Sequence, residues 1–348
     1  MIRTRHSTGE PAPEAWGGYH DAGDWNPRRV THMRTTLAQL ELLELFPNYS
    51  RALDWPLPRS IKGPAVLEEA LFELDLFRRL QRPDGGVPLG IETPGDPIEG
   101  EVSWLQSMAA YVFAPDVDST FLYAAVAGRA AKLLLATDPQ PTATYRESAL
   151  RAMTWAEAEW AQHKAAAKPF RDEWRYRDDR NLASVCVYDL TGDAHWHEVF
   201  RQDTCPMDPQ ADLFVWPVRS QGDAAFAYCL LPPTLSDPAL HATAVSAFER
   251  RARASLDYAA GNAYNLTSAD RGKPMFNAFY STPGGVDLAR AHRLTGRPEY
   301  LAGALAACQF SAGCNPNNLV YTSGLGANPM RHPLHVDSRL SGQPGRLA

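Results

Sequence analysis

Two carboxylates lie three residues apart near the start of the chain, within residues 17–25. Side chains at this spacing are close both in a helical turn and in a tight glycine-containing loop, so Asp21 and Asp24 can face the same water molecule. Cleavage of a glycosidic bond requires a carboxylate that takes a proton from water, held beside aromatic rings on which a sugar can lie. The segment has these residue types. A simpler alternative stays open, in which Asp21 caps a helix and Asp24 pairs with Arg28 or Arg29 on the surface.

The elements that would hold this segment are predicted to be helices. From about Thr31 onward, apolar residues recur at spacings of three and four, which places an apolar stripe on each of a series of helices. The predicted helices cover 33–45, 65–80, 102–113, 120–135, 145–163, 181–190, 222–230, 238–260, 284–294 and 299–312. Strand-like alternation is scarce, and connectors such as 82–86 are rich in Pro, Gly and Asp. The sequence therefore predicts an all-α chain of helical hairpins.

One internal repeat supports this interpretation. Residues 190–196 (Leu-Thr-Gly-Asp-Ala-His-Trp) have the same form as residues 294–300 (Leu-Thr-Gly-Arg-Pro-Glu-Tyr). In each copy the glycine can adopt a left-handed backbone conformation at the end of one helix, and an aromatic residue begins the next. Hairpins repeated in this way stack into toroids or solenoids.

The composition argues against several classes of partner. The 348 residues carry a formal net charge of −6 and no Lys/Arg tract, which predicts no binding to nucleic acid or to an anionic membrane surface. No apolar run reaches the length of about 20 residues needed to cross a bilayer. The five cysteines lack Cys-x-x-Cys spacing and predict no structural zinc site. No secretion signal is visible, so the protein is intracellular or the chain lacks its true start, and we assign no compartment.

Several motifs, in order, resemble those of family 9 glycoside hydrolases, enzymes of the cellulase type that invert the anomeric centre. The Asp-Ala-Gly-Asp run at 21–24 resembles the family signature, and 81–86 resembles its Gln-x-Pro-Asp-Gly-Gly turn. Residues 313–317 (Gly-Cys-Asn-Pro-Asn) and 321–326 (Tyr-Thr-Ser-Gly-Leu-Gly) resemble the late Gly-x-Asn-Pro and Tyr-Val-Thr-Gly-Phe-Gly block. The resemblance implies an (α/α)6 toroid, incomplete in this chain. It also implies that residues 1–16 are an N-terminal extension and 17–348 a catalytic domain whose C-terminal part is missing.

The resemblance assigns roles to the Asp pair. Asp24 would be the general base that activates the attacking water, and Asp21 would bind the same water or orient Asp24. Inversion also requires a protonated carboxyl group roughly 6.5–9.5 Å from the base. The relatives carry this acid as a Glu beyond a His-Pro element, whereas no Glu follows His335, so we expect the acid segment to be missing. Glu99 and Glu101 are candidate substitutes, although a solvated loop that caps the next helix is the more ordinary interpretation.

A second segment resembles the substrate-binding element of the family. Residues 331–335 (Arg-His-Pro-Leu-His) align with its His-Pro-His-His-Arg run, in which imidazole and guanidinium groups bind sugar hydroxyls. Leu334 and Val336 replace a His and an Arg of the pattern, which favours a different sugar or a weaker site. Alternatively, the histidines bind loop carbonyls. The implied substrate-binding residues are Arg331, His332, His335 and Tyr321.

Aromatic residues near the Asp pair add to the candidate site. Trp16, Tyr19 and Trp25 flank the pair and are candidates to stack on pyranose rings, with Tyr19 and Trp25 the nearer two. The other six tryptophans are expected in the core. They are Trp104, Trp155, Trp160, Trp174, Trp196 and Trp216.

No cofactor is expected to be required. The sequence has no phosphate-binding loop of the Walker or Rossmann kind and no Gly-x-Ser-x-Gly elbow. The run His195-Trp196-His197 looks like a metal site, but adjacent positions on a helix face different directions and no third ligand has suitable spacing. We therefore predict no metal ligands, while the resemblance allows a structural Ca²⁺ ion at unassigned residues.

These interpretations predict an enzyme that hydrolyses β-glycosidic bonds in a cellulose-like β-glucan with inversion, Asp24 activating water. Its partner would be a polysaccharide or oligosaccharide substrate. One rival is a catalytically impaired carbohydrate-binding protein on the same fold. Another is a polysaccharide lyase on a helical toroid, which would use Tyr and His and release an unsaturated product.

Overall fold

The computed structural model of the chain describes residues 7–12, 16–20, 25–26, 32–53, 63–135, 139–166, 173–215, 217–267, 283–331 and 336–342. Helices predominate among these residues, which confirms the all-α prediction. They are α1 (Met33–Leu45), α2 (Pro47–Ala52), α3 (Ala65–Leu80), α4 (Val117–Leu134), α5 (Pro139–Ala165), α6 (Glu173–Thr191), α7 (Ala194–Asp203), α8 (Gly222–Cys229), α9 (Pro238–Ala260), α10 (Pro283–Thr295), α11 (Pro298–Ser311) and α12 (Val336–Leu340). Within the described ranges, no helix is both long and apolar enough to span a membrane.

Short strands accompany the helices. They are β1 (Ser7–Pro11), β2 (Ile91–Glu92), β3 (Tyr111–Phe113), β4 (Phe214–Val215) and β5 (Arg219–Ser220). β3 lies between β1 and β2, and both pairings are antiparallel. The helix predicted for 102–113 is therefore wrong. That segment holds a 3₁₀ turn at Ser103–Leu105 and then β3, because strand pairing with residues far along the chain overrides the local apolar spacing.

The chain divides into two compact units. The first comprises Met1–Thr204 and Trp216–Ala227, and the second comprises Cys205–Val215 and Tyr228–Ala348. β1 lies in the predicted N-terminal extension and pairs with β3 of the first unit. The division into a 1–16 extension and a 17–348 catalytic domain stays a prediction.

The core of the first unit surrounds α4. This helix is buried on nearly all sides, and Phe121, Leu122 and Val126 are fully buried. It packs against α5 and α6, and also against α1. Asp116 caps its N-terminus, since its carboxylate accepts the backbone N–H of Ser119 at 2.9 Å. α4 thus fixes the helices that carry the polar residues described below.

The Pro-Asp-Gly-Gly turn after α3 packs tightly against α5. Gly85 has a φ of +109°, which L side chains rarely adopt. A Cβ atom at Gly85 would also lie 2.3 Å from the carbonyl oxygen of Arg151. The turn therefore needs glycine for both its conformation and its close approach to the helix.

The second unit is built on α9, which packs against α10. Asp237 caps α9 through bonds from the N–H groups of Ala239 (2.8 Å) and Leu240 (3.2 Å), and Pro238 is its first residue. Arg251 of α9 donates to Asp287 of α10 at 2.8 Å. Within this unit, α11 follows α10 as the second half of a hairpin and packs on it.

The sequence repeat has the same backbone geometry in both copies. Gly192 follows α6 with a φ of 70°, and Gly296 follows α10 with a φ of 71°. Each glycine N–H donates at 2.7 Å to the carbonyl four residues earlier, Tyr188 and His292 respectively. The prediction of left-handed glycines at the two helix ends is confirmed.

Candidate active site

Four of the predicted site residues lie outside the described residues. They are Asp21, Asp24, His332 and His335. The structure does describe the residues on both sides of the Asp pair, and these give the geometry that follows.

The segment before the Asp pair lies along α3. The N–H of Gly18 donates to the carbonyl of Phe72 at 3.2 Å. The N–H of Tyr19 donates to Oε2 of Glu73 at 2.5 Å. Arg79 places its guanidinium 3.6 Å from the centre of the exposed Trp16 ring and donates to the Trp16 carbonyl. The chain is therefore tied to one helix at three successive points before it reaches Asp21.

Tyr19 is held through its side chain as well. Its hydroxyl donates to Oε1 of Glu69 at 2.9 Å and accepts from Nε2 of Gln39 at 3.3 Å. Its carbonyl lies 3.3 Å from Nδ1 of His32. Burial raises the pKa of the half-buried phenol above its ordinary value. Its ring lies 6.2 Å from that of Phe72, so only part of Tyr19 is open to a ligand.

The segment after the Asp pair is buried. Trp25 is 5% exposed, and its indole nitrogen has no hydrogen-bond acceptor among the described residues. Asn26 is fully buried, and its Nδ2 donates to Oε1 of Glu92 at 3.2 Å and to Oγ1 of Thr93 at 3.0 Å. A stacking role for Trp25 stays a prediction. The Asp pair is thus bracketed by two anchored residues, Tyr19 and Asn26.

Glu73 is a functional candidate that the sequence analysis missed. It lies on the buried face of α3 between Ala70 and Phe77 and is 0% exposed. Burial raises its pKa to about 7, against the opposing effect of the hydrogen bond from Tyr19. The signal was present, since a charged residue occupies the apolar stripe of a predicted helix, where a carboxylate is seldom placed without a partner.

A second polar cluster, also missed, joins four helices of the first unit. Arg34 of α1 donates to Asp179 of α6 at 2.6 Å and to Asp223 of α8 at 2.7 Å. Burial raises the pKa of Asp179 to about 8, Arg34 opposes this, and a hydrogen bond with Asp118 of α4 adds to it. Burial and the neighbouring Asp118 therefore favour the protonated form of Asp179. Arg34, Asp118 and Asp223 are each the second residue of a helix, so α1, α4 and α8 begin at this cluster.

Tyr321 and Arg331 belong to the second unit. The ring of Tyr321 is 6.0 Å from that of the buried Phe310, and its N–H donates to the carbonyl of Ser311 at 2.9 Å. Arg331 is exposed. Asn315 shapes the preceding turn, since its Nδ2 donates to the carbonyls of Phe310 and Leu319 at 2.7 Å each. Binding roles for Tyr321 and Arg331 stay predictions.

The remaining candidates have ordinary surroundings. Glu101 accepts the N–H of Ser107 at 3.2 Å, and Glu99 is exposed. His197 stacks on Tyr188 with 5.1 Å between ring centres, and no group of three metal-binding side chains occurs in the part of the chain that is described. Trp104 is 67% exposed, so its prediction as a core residue is wrong, because the helix expected there does not form.

The chain belongs to glycosyl hydrolase family 9, whose family model matches residues 6–345. A metagenome-derived family 9 endoglucanase is 28% identical over 95% of this chain and 62% of its own, with a TM-score of 0.77. A mutant of a thermostable endoglucanase from Alicyclobacillus acidocaldarius is 22% identical over 94% of this chain and 64% of its own, with a TM-score of 0.78. Bacteroides ovatus GH9 is 20% identical over 92% and 62%, with a TM-score of 0.75. No curated protein sequence matches.

These similarities confirm the predicted fold class, the (α/α)6 class of helical hairpins, and the recognition of family 9. The chain spans less than two thirds of the length of these three solved structures.

Proposed function

We propose that this chain supplies the catalytic base of a glycoside hydrolase that cleaves β-linked glucan with inversion. Membership in family 9 and the Asp-Ala-Gly-Asp run at 21–24 support this activity. Similarity to a family 9 endoglucanase supports a β-glucan substrate. AaCel9A, solved with cellobiose-like isofagomine, is 22% identical to this chain, which is consistent with an oligosaccharide ligand.

The observation that carries the proposal is the anchoring on both sides of the Asp pair. Tyr19 is bound through its N–H and its hydroxyl, and Asn26 is bound through its amide to Glu92 and Thr93. A general base must be held close to a fixed position, because a displacement of about 1 Å can lower the rate 100-fold. One anchored residue on each side of this short segment meets the requirement.

In the proposed reaction, Asp24 takes a proton from a water molecule as that water attacks the anomeric carbon. Asp21 binds the same water or orients Asp24. In the first unit, Tyr19 and Trp25 are the proposed stacking residues for sugar rings. In the second unit, Arg331, His332, His335 and Tyr321 are the proposed donors of hydrogen bonds to sugar hydroxyls. A protonated carboxyl group must assist departure of the leaving group, and the proposal does not assign that acid to a residue of this sequence. The chemistry uses water and carboxyl groups and needs no cofactor.

The test is release of reducing sugar from soluble β-glucan by wild type and by Asp24→Asn. Asparagine keeps the shape of the side chain but cannot take the proton, so kcat should fall by about 100-fold or more. Glu147→Gln is the matched control, because its carboxylate is 75% exposed on α5 and pairs only with Arg151 among the ion pairs of the described residues. It should keep wild-type kcat.

Three results would contradict the proposal. Equal activity in wild type and Asp24→Asn would remove Asp24 from the mechanism. Glycan binding without turnover would favour a carbohydrate-binding protein, and an unsaturated product absorbing in the ultraviolet would favour a lyase.

A further inference from the structure

Glu73 is an unusual residue for its place in α3. Its neighbours on the buried face, Ala70, Leu74 and Phe77, are all fully buried and apolar. Ionised carboxylates in such surroundings are costly unless charge partners and hydrogen bonds compensate for the lost water. No salt bridge to Glu73 occurs among the described residues, and Oε1 has no hydrogen-bond partner among them. An apolar side chain would pack there at lower cost, so stability does not account for the glutamate.

Among the described residues, the Glu73 side chain makes one hydrogen bond, and it binds the chain just before the Asp pair. Its Oε2 accepts the N–H of Tyr19 at 2.5 Å, and two peptide bonds separate Tyr19 from Asp21. A backbone N–H is a better anchor for the main chain than a side-chain contact, because no rotatable side-chain bond lies between the anchor and the chain. A carboxylate acceptor also makes a stronger hydrogen bond than a neutral one.

We propose that Glu73 is a positioning residue that fixes the backbone at Tyr19 and so sets the place of Asp21 and Asp24. The inference rests on the proposed function. Glu73 acts through the main chain and touches neither water nor sugar in the reaction. Glu69, one turn earlier on α3, holds the same tyrosine only through its hydroxyl and does not set the backbone.

The test compares three variants with the wild type. Glu73→Met removes the acceptor and replaces the carboxylate with an apolar group of similar length, so kcat should fall about tenfold or more while KM stays within about twofold. Glu73→Gln keeps an oxygen that accepts the Tyr19 N–H, so kcat should return to within about threefold of wild type. Glu147→Met, at an exposed position of α5, is the control and should leave kcat within about threefold. The Tm of Glu73→Met should equal or exceed that of the wild type.

Amide hydrogen exchange gives a readout that does not depend on activity. In Glu73→Met, peptides covering residues 17–26 should exchange about tenfold faster, with other peptides unchanged; Glu73→Gln and Glu147→Met should match the wild type. If the wild type hydrolyses no glycan, the proposed function fails and exchange still decides the role of Glu73. Unchanged exchange in Glu73→Met overturns the inference. So does unchanged kcat in an active enzyme, or a loss of kcat accompanied by a lower Tm and faster exchange throughout the chain.

Discussion

Replacing Glu73 with glutamine keeps the shape of the side chain and removes its ionisation. Burial raises the pKa of this fully buried carboxyl from an ordinary 4.5 to about 7. Because the folded-state pKa is the higher one, the folded protein binds the proton more tightly than the unfolded chain. Its stability therefore falls as pH rises from about 4.5 to about 7. A difference of this size corresponds to about 3 kcal/mol at complete ionisation, most of which is lost between about pH 5 and pH 8.

The assay is unfolding of wild type and Glu73→Gln at a series of pH values across that interval. Subtracting one curve from the other cancels the ionisations that the two proteins share. Glu73→Gln should gain about 2 kcal/mol or more relative to wild type from about pH 5 to pH 8, or roughly 3 °C in Tm. Glu147→Gln, whose carboxylate is 75% exposed, should give a flat difference. A flat difference for Glu73→Gln, or one of opposite sign, would refute the argument that burial perturbs Glu73.

Two further substitutions test the packing and the charge cluster of the first unit. Gly85→Ala should lower the free energy of unfolding by more than about 3 kcal/mol, because the new Cβ meets the Arg151 carbonyl and the backbone is left-handed. Gly192→Ala, where the left-handed glycine has open space around it, should lower the free energy of unfolding by only about 1 kcal/mol, and a urea titration of both variants measures the two losses. Arg34→Met should lower the free energy of unfolding by about 2 kcal/mol at neutral pH. This loss is smaller than for a fully buried ion pair, because the arginine side chain is 38% exposed. That loss should grow as the pH rises through about 8, where Asp179 ionises beside Arg34; a loss independent of pH across that interval would contradict the assigned pair.

The helices were predictable where strong local signals coincide. α1, α3 and α9 have their predicted bounds, and α9 shows why. Asp237 provides a cap, Pro238 is suited to the first turn, and the apolar residues of the helix recur at helical spacing. These signals lie within a few residues of the element they define. The helix α2 was missed because it is only six residues long, too short for a periodic pattern.

The failures come from contacts between residues far apart in the chain. β3 forms because residues 91–92 and 7–11 pair with it. The sequence pattern within 102–113 does not predict pairing with these distant residues. Glu73 was missed for a related reason. A charged residue on an apolar stripe counts against a helix in sequence analysis, whereas in the structure it faces a backbone N–H from 54 residues earlier. The Asp pair and residues 331–335 were predicted because the members of each group are close in sequence.

The two anchors of the Asp segment differ in their effect on stability. Asn26 is neutral and fully buried, and its Nδ2 donates two hydrogen bonds, although its Oδ1 has no partner among the described residues. Because an unpaired amide oxygen costs less than an unpaired carboxylate oxygen, loss of Asn26 should weaken both the fold and the site. Glu73 makes one hydrogen bond and leaves its other oxygen without a partner among the described residues, so an apolar replacement relieves a desolvation cost as it breaks the bond. Activity and stability should therefore fall together at position 26 and separate at position 73. That separation is expected where a residue is retained for function at the expense of stability.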